Sequence, residues 1–187
     1  MRDKMAEDVV SFLNGKVFVK VGNIVQEKTD AVVNAANSTL LGGGGVDGAI
    51  HSAGGPQVLD ECKAIRKNVY QKGLPDGKAV ITGSGNLPSR YIIHTVGPVW
   101  SDGNSGEEEK LAACYRNSLQ LALDNQVSSI SFPAISTGVF GYPRDKAAVV
   151  SSGVIKQFLT NNSEISEINF VFFSIEDKNI FMKHQVF

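Results

Sequence analysis

Four consecutive glycines, Gly42 to Gly45, interrupt the chain between a short apolar run and an Asp-headed segment of helical character. Glycine disfavours both helix and strand interiors, so the chain must turn here. Without side chains in the way, successive N–H groups can point outward, as an anionic ligand requires. Asn37 and Asp47 bracket the run, and only a folded loop brings them together. The apolar flanks, Leu40, Leu41 and Val46, are unlike those of a floppy linker. No Gly-Lys-Ser/Thr follows, which excludes a Walker loop. The acidic strand end expected about 20 residues after a dinucleotide fingerprint is also missing.

Periodicity and turn residues predict strands over 16–21, 31–36, 79–82, 91–96, 129–133 and 168–173. They predict helices over 47–53, 56–67, 107–125, 143–159 and 177–185, with Pro56 and Pro143 at helix starts and Glu107 to Glu109 at a positive helix end. Residues 1–15 read as an N-terminal extension, a lead-in or short helix outside the core, ahead of one domain over 16–187. Strands alternating with helices imply an α/β fold of three α-β-α layers around a mixed, largely parallel sheet. Ligands of such sheets sit beyond the carboxyl ends of the strands. Residues 34–45 follow one such end. A second loop, 134–141, follows another with small residues, a glycine and an aromatic, which also suits close backbone approach to a phosphate.

The 187 residues fit one domain with a real core. A formal net charge of −1 argues against the broad basic face of a nucleic-acid binder. Cys62 and Cys114 belong to no CxxC or Cys/His cluster in the sequence, so neither a zinc site nor any other metal or cofactor is expected. No apolar run is long enough to cross a bilayer and the first residues lack a signal-type segment, so a cytoplasmic monomer with no membrane partner is expected.

Simpler roles exist for several residues. Asp47 before Gly-Ala-Ile suits a helix N-cap, and Asn37 suits an Asx-turn. His51 and His94 fit structural histidines. Phe173, at a strand end, fits either the core or a base-stacking platform.

The segment from Asn34 to His51 resembles the signature of macro domains, the ADP-ribose-binding fold. HTVGP at 94–98 and PAISTGVFGYP at 133–143 resemble two further blocks of that family, and together the three look like the MacroD-type ADP-ribosyl hydrolases. The likeness runs from about Gly22 to the C-terminus. It implies that Asn23 stands where the family has an acidic acceptor for the adenine amino group, with the Ile24 amide facing the ring. It implies that Gly43, Gly44, Gly45 and Val46 enclose the diphosphate together with Ser136, Thr137, Gly138, Val139 and Phe140. Phe140 would lie against the distal ribose and Phe173 would cover adenine. Asn37 and Asp47 match the pair used at the distal ribose. The implied substrates are O-acetyl-ADP-ribose and mono-ADP-ribosylated proteins esterified at Asp or Glu, cleaved without a metal. The alternatives are a reader that binds ADP-ribose without hydrolysis and a regulator of an RNA-processing enzyme.

Overall fold

The computed structural model describes residues 9–187. Residues 1–8 of the expected extension lie outside them. Seven strands form one sheet among the described residues: β1 (Val10–Phe12), β2 (Val17–Val21), β3 (Ala31–Ala36), β4 (Ala79–Gly83), β5 (Tyr91–Val96), β6 (Ser129–Phe132) and β7 (Glu167–Phe172). Their spatial order is β1-β2-β7-β6-β3-β5-β4. The five inner strands are mutually parallel, and β1 and β4 pair antiparallel at the edges. The helices are α1 (Gly45–Gly54), α2 (Pro56–Asn68), α3 (Glu107–Asp124), α4 (Arg144–Asn161) and α5 (Ile175–His184).

Both faces of β3 and β5 are covered, which is why β3 reads as an apolar run, whereas β2 alternates and buries only Val17 and Val19. Along β3, Ala31 and Val33 face the larger core under α3, α4 and α5, while Val32 and Ala36 face the smaller one under α1 and α2. Strand β5 repeats the pattern with Ile93 on one side and Ile92 and Val96 on the other. The three layers follow from this period of two. Phe132, Phe170, Phe172, Phe181 and Tyr115 fill the larger core, with neighbouring rings 4.6–6.4 Å apart. Each buried phenylalanine contributes about 1.5–3 kcal/mol by its removal from water.

One element departs from expectation. Val10–Phe12, read as lead-in or short helix, is an edge strand paired with β2, with Val10 opposite Val19. Leu13, Asn14 and Gly15 make the hairpin turn with positive φ angles of 50°, 57° and 77°. The Asn-Gly dipeptide was the available signal for it.

The sheet splits where the loops of interest leave it. Strand β3 pairs with β5 along its whole length, to Ala36 against Val96, but with β6 only through Ala31 and Val32. Beyond Val32 the carboxyl ends of β3 and β6 diverge. The chain from β3 goes on to α1 and α2 on one face, and that from β6 to α4 on the other. Adjacent parallel strands whose connections leave in opposite directions make a topological switch point, and a crevice opens there.

Candidate functional site

The crevice is a cleft of about 320 Å³, lined on one side by Gly44, Gly45 and Val46 and on the other by Ser136, Gly138, Val139 and Phe140. Ala35, Ala36, Gly97, Ala134 and Ile135 form the rest of its wall, so no charged side chain among the described residues lines it.

The glycine loop delivers α1 into the cleft N-terminus first. Gly44 is the N-cap and offers no side-chain acceptor, and Gly48 N–H makes the first helical bond, to the Gly44 carbonyl at 3.3 Å. The N–H groups of Gly43 through Asp47 therefore find no acceptor among the described residues. Gly48 has to be glycine, because a Cβ there would sit 2.4 Å from the Gly43 carbonyl oxygen. The second loop is held by Tyr142 N–H donating to Ser136 O at 3.0 Å and Gly141 N–H to Gly138 O at 3.0 Å. The N–H groups from Ser136 to Phe140 likewise have no acceptor among the described residues. Trp100 N–H donates to the Phe140 carbonyl at 2.8 Å, and the Trp100 ring meets Tyr142 edge-on at 4.8 Å. Two stretches of unpaired amides, one of them a helix N-terminus, thus border one neutral cleft. That arrangement holds an anion.

The structure corrects the expected start of α1. The helix begins at Gly45, so Asp47 lies within its first turn and is not the cap. Its side chain turns inward and is 4% exposed. Oδ1 accepts from Asn34 Nδ2 at 2.7 Å and lies 3.5 Å from His51 Nε2, while Oδ2 is 3.4 Å from Asn37 Nδ2. Burial raises the Asp47 pKa, against the lowering effects of the Asn34 hydrogen bond and of His51. Asn37 does form the Asx-turn: Oδ1 accepts from Thr39 N–H at 3.0 Å. Its amide nitrogen remains free to donate to the Gly42 carbonyl at 3.1 Å and to face Asp47. The expected pair is therefore brought together, but behind Gly43 rather than on the cleft wall. A Cβ on Gly43 would lie 3.1 Å from Asn37 Nδ2 and 3.2 Å from Asp47 Oδ2.

The other expected residues occupy the same rim. Gly43 is exposed beside the cleft and Thr137 turns away from it, its hydroxyl donating to the Ala134 carbonyl at 3.1 Å. Asn23 and Ile24 follow β2, which neighbours β7. Asn23 caps a 3-10 turn (Ile24–Gln26), its Oδ1 accepting from Val25 N–H at 3.3 Å, so the oxygen expected to meet adenine is engaged locally. The Ile24 side chain is buried in the smaller core. Phe173 is no core residue: it follows β7 and is 87% exposed, as a stacking platform would be.

Asn34 was missed as a site residue. It is fully buried and bonds Asp47 directly. The signal was a lone amide inside an apolar strand. Sequence spacing also hid a Cys/His cluster: His51, Cys62 and His94 bring potential ligand atoms within 4.8 Å of one another. His94 lies between Asn34 Nδ2, 3.1 Å from its Nδ1, and Thr82 Oγ1, 2.9 Å from its Nε2. With an N–H pointing at Nδ1, the imidazole keeps its proton on Nε2 and has no lone pair free for a metal. Burial pushes the Cys62 thiol up to about 12, with the charges of Asp47 and Glu61 adding to it, far from a thiolate.

The family model for the Macro domain matches residues 33–151. A macro domain-containing protein of Caldanaerobacter subterraneus is 50% identical over 90% of this chain and 94% of its own length. An O-acetyl-ADP-ribose deacetylase of Escherichia fergusonii is 47% identical over 90% and 94%. Among solved structures, the Oceanobacillus iheyensis macrodomain with ADP is 48% identical, with a TM-score of 0.85 over 90% of this chain and 88% of that one. The Trypanosoma brucei macrodomain in complex with ADP-ribose is 37% identical, with a TM-score of 0.82 over 90% and 68%.

Proposed function

Because the chain belongs to the macro domain family, we propose that it binds ADP-ribose across the β3/β6 crevice and hydrolyses esters on the distal ribose. The carrying observation is the pair of unpaired amide stretches, Gly43 to Asp47 and Ser136 to Phe140, on either side of the cleft. A diphosphate supplies the acceptors they lack. Adenine then extends toward Phe173 and the Asn23 turn at the ends of β7 and β2, and the distal ribose toward Asn37. The substrates are O-acetyl-ADP-ribose and proteins esterified with ADP-ribose at Asp or Glu. The O. iheyensis macrodomain supports the assignment. It has been crystallised as asparagine, glycine and aspartate variants whose substituted residues follow one another at the spacing of Asn37, Gly44 and Asp47 here. A cytoplasmic location fits the unpaired, buried Cys62 and Cys114.

The inward turn of Asp47 bears on mechanism. A carboxylate that is 4% exposed and bonded by Asn34 orients its neighbours better than it abstracts a proton in the cleft. We assign Asp47 to holding Asn37 and the glycine loop, Asn37 to the ribose and the attacking water, and proton removal to the substrate's own diphosphate. Fixed amides place that diphosphate beside the ester, and positioning is the main source of rate. The same inward turn favours the second reading, a reader without turnover.

Calorimetry with ADP-ribose, followed by chromatographic detection of ADP-ribose released from O-acetyl-ADP-ribose, separates these readings. Saturable binding with release is expected. Binding without release leaves the reader, and no binding removes both.

A further inference from the structure

A row of buried polar groups runs across the sheet behind Asp47 without touching the cleft. Asn34 on β3 stands in register with His94 on β5, and Thr82 comes from the neighbouring β4. Their exposures are 0%, 0% and 3%. The hydrogens follow by elimination. The Asn34 amide nitrogen only donates, and it lies 2.7 Å from Asp47 Oδ1 and 3.1 Å from His94 Nδ1. Reversing the amide would set its oxygen against the Asp47 carboxylate. His94 therefore accepts at Nδ1 and carries its proton on Nε2. Nε2 lies 2.9 Å from Thr82 Oγ1, whose own hydrogen goes to the Gly83 carbonyl at 2.9 Å, so the hydroxyl oxygen accepts.

We infer that His94 and Thr82 are positioning residues for the ester hydrolysis: Thr82 fixes the Nε2–H tautomer, which turns both amide hydrogens of Asn34 to His94 and Asp47 and so aims Asp47 at Asn37. The inference rests on reading the cleft as a hydrolytic site. Burial supports it by keeping the imidazole uncharged, with its pKa pushed down to about 3 and His51 adding to the shift. A charged imidazole would carry a hydrogen on Nδ1, and the Asn34 amide would have to turn away.

Thr82→Val removes the nearer acceptor at nearly constant volume and leaves only the weak acceptor Cys62 Sγ, 3.7 Å from Nε2, while Thr82→Ser restores the hydroxyl. In Thr82→Val, kcat on O-acetyl-ADP-ribose falls roughly twofold to tenfold, the loss of one hydrogen bond between uncharged partners. KM and the ADP-ribose Kd stay as in the wild type, and Thr82→Ser recovers the rate. A Thr82→Val protein with wild-type kcat, a rise in KM that accounts for the loss, or no recovery in Thr82→Ser overturns the inference. Long-range ¹H–¹⁵N NMR of the wild-type His94 ring gives a readout independent of turnover. A proton on Nε2 is expected, and a proton on Nδ1 overturns the inference even if the ester is hydrolysed. Failure of the wild-type chain to hydrolyse the ester is a separate result and removes the proposed function instead.

Discussion

Gly97 follows β5 at the floor of the cleft, and replacing it with alanine tests whether the second loop's position matters. An ideal Cβ on Gly97 falls 2.0 Å from Ser136 Oγ, 2.8 Å from Ile135 Cγ2 and 3.3 Å from Ser136 Cβ, where ordinary contact begins at 3.4 Å. Rotating the serine hydroxyl relieves the first clash alone. Ile135 is 1% exposed, and Ser136 is already held at φ +66°, so relieving the remaining contacts falls on the backbone. The backbone at 135–136 must move by several tenths of an ångström or more. Such overpacking costs about 1–3 kcal/mol, a fall in Tm of roughly 2–12 °C for a domain of this size. The moved amides also lose their aim. Each hydrogen bond to a charged group contributes about 1.5–3 kcal/mol, so misplacing one weakens ADP-ribose binding roughly ten- to a hundredfold. Calorimetry beside thermal denaturation measures both. A Gly97→Ala protein that binds ADP-ribose as tightly as the wild type shows that this loop does not grip the diphosphate.

Four further outcomes follow from the same geometry. His94 has its pKa depressed to about 3 in the fold, while the unfolded chain takes up that proton near 6.5, so stability falls as pH drops from about 6.5 towards 3. From pH 7 to pH 5 this group alone costs about 2 kcal/mol, readable in urea titrations, and His94→Asn should flatten the slope. Asp47 acts in the opposite sense: burial raises its pKa, so its ionised form opposes folding at neutral pH. Asp47→Asn should therefore keep or raise Tm in a thermal scan while ester turnover falls. Phe173→Ala, at an 87% exposed position, should change stability by less than about 0.5 kcal/mol, yet weaken ADP-ribose binding in calorimetry through lost stacking. Because no charged side chain among the described residues lines the cleft, ADP-ribose affinity should change less than about threefold between 50 and 500 mM salt, in contrast to the steep dependence of lysine-based phosphate binding.

Strands β3 and β5 were legible because burial on both faces writes itself as contiguous apolar residues, and β2 because burial on one face writes itself as alternation; β3 and β5 fall at the expected positions. The edge strand β1 was not, since three residues with one buried side give too short a pattern to distinguish from a lead-in. The glycine loop was legible as a place where amides are bare, and its ring of partners was not. Asn34, His51, Cys62, Thr82 and His94 come from three strands and two helices; the register of β5 against β3 and β4 brings Asn34, Thr82 and His94 together, and the packing of α1 and α2 on that face adds the other two. The inward turn of Asp47 follows from that buried row: Asn34 offers a short bond on the inner face, while Gly44 and Gly45, without side chains, offer the carboxylate nothing on the outer one.

The cleft itself arises from a defect in pairing. Strands β3 and β6 hydrogen-bond for two residues and then separate, which leaves the following loops without the ladder that would satisfy their amides. Bare amides at a sheet's carboxyl edge are costly unless water or a ligand accepts from them. The glycines make this tolerable by leaving the amides open to solvent, and on the proposed function a diphosphate replaces that water with fixed charge. A chain of net charge −1 can then hold a doubly charged ligand, because the attraction comes from oriented peptide dipoles and not from lysines or arginines. It follows that backbone geometry in the two loops, more than any single side chain lining the cleft, sets affinity. On the proposed function, the side chains behind the loops, from Asn37 back to Thr82, are left to set what happens to the sugar.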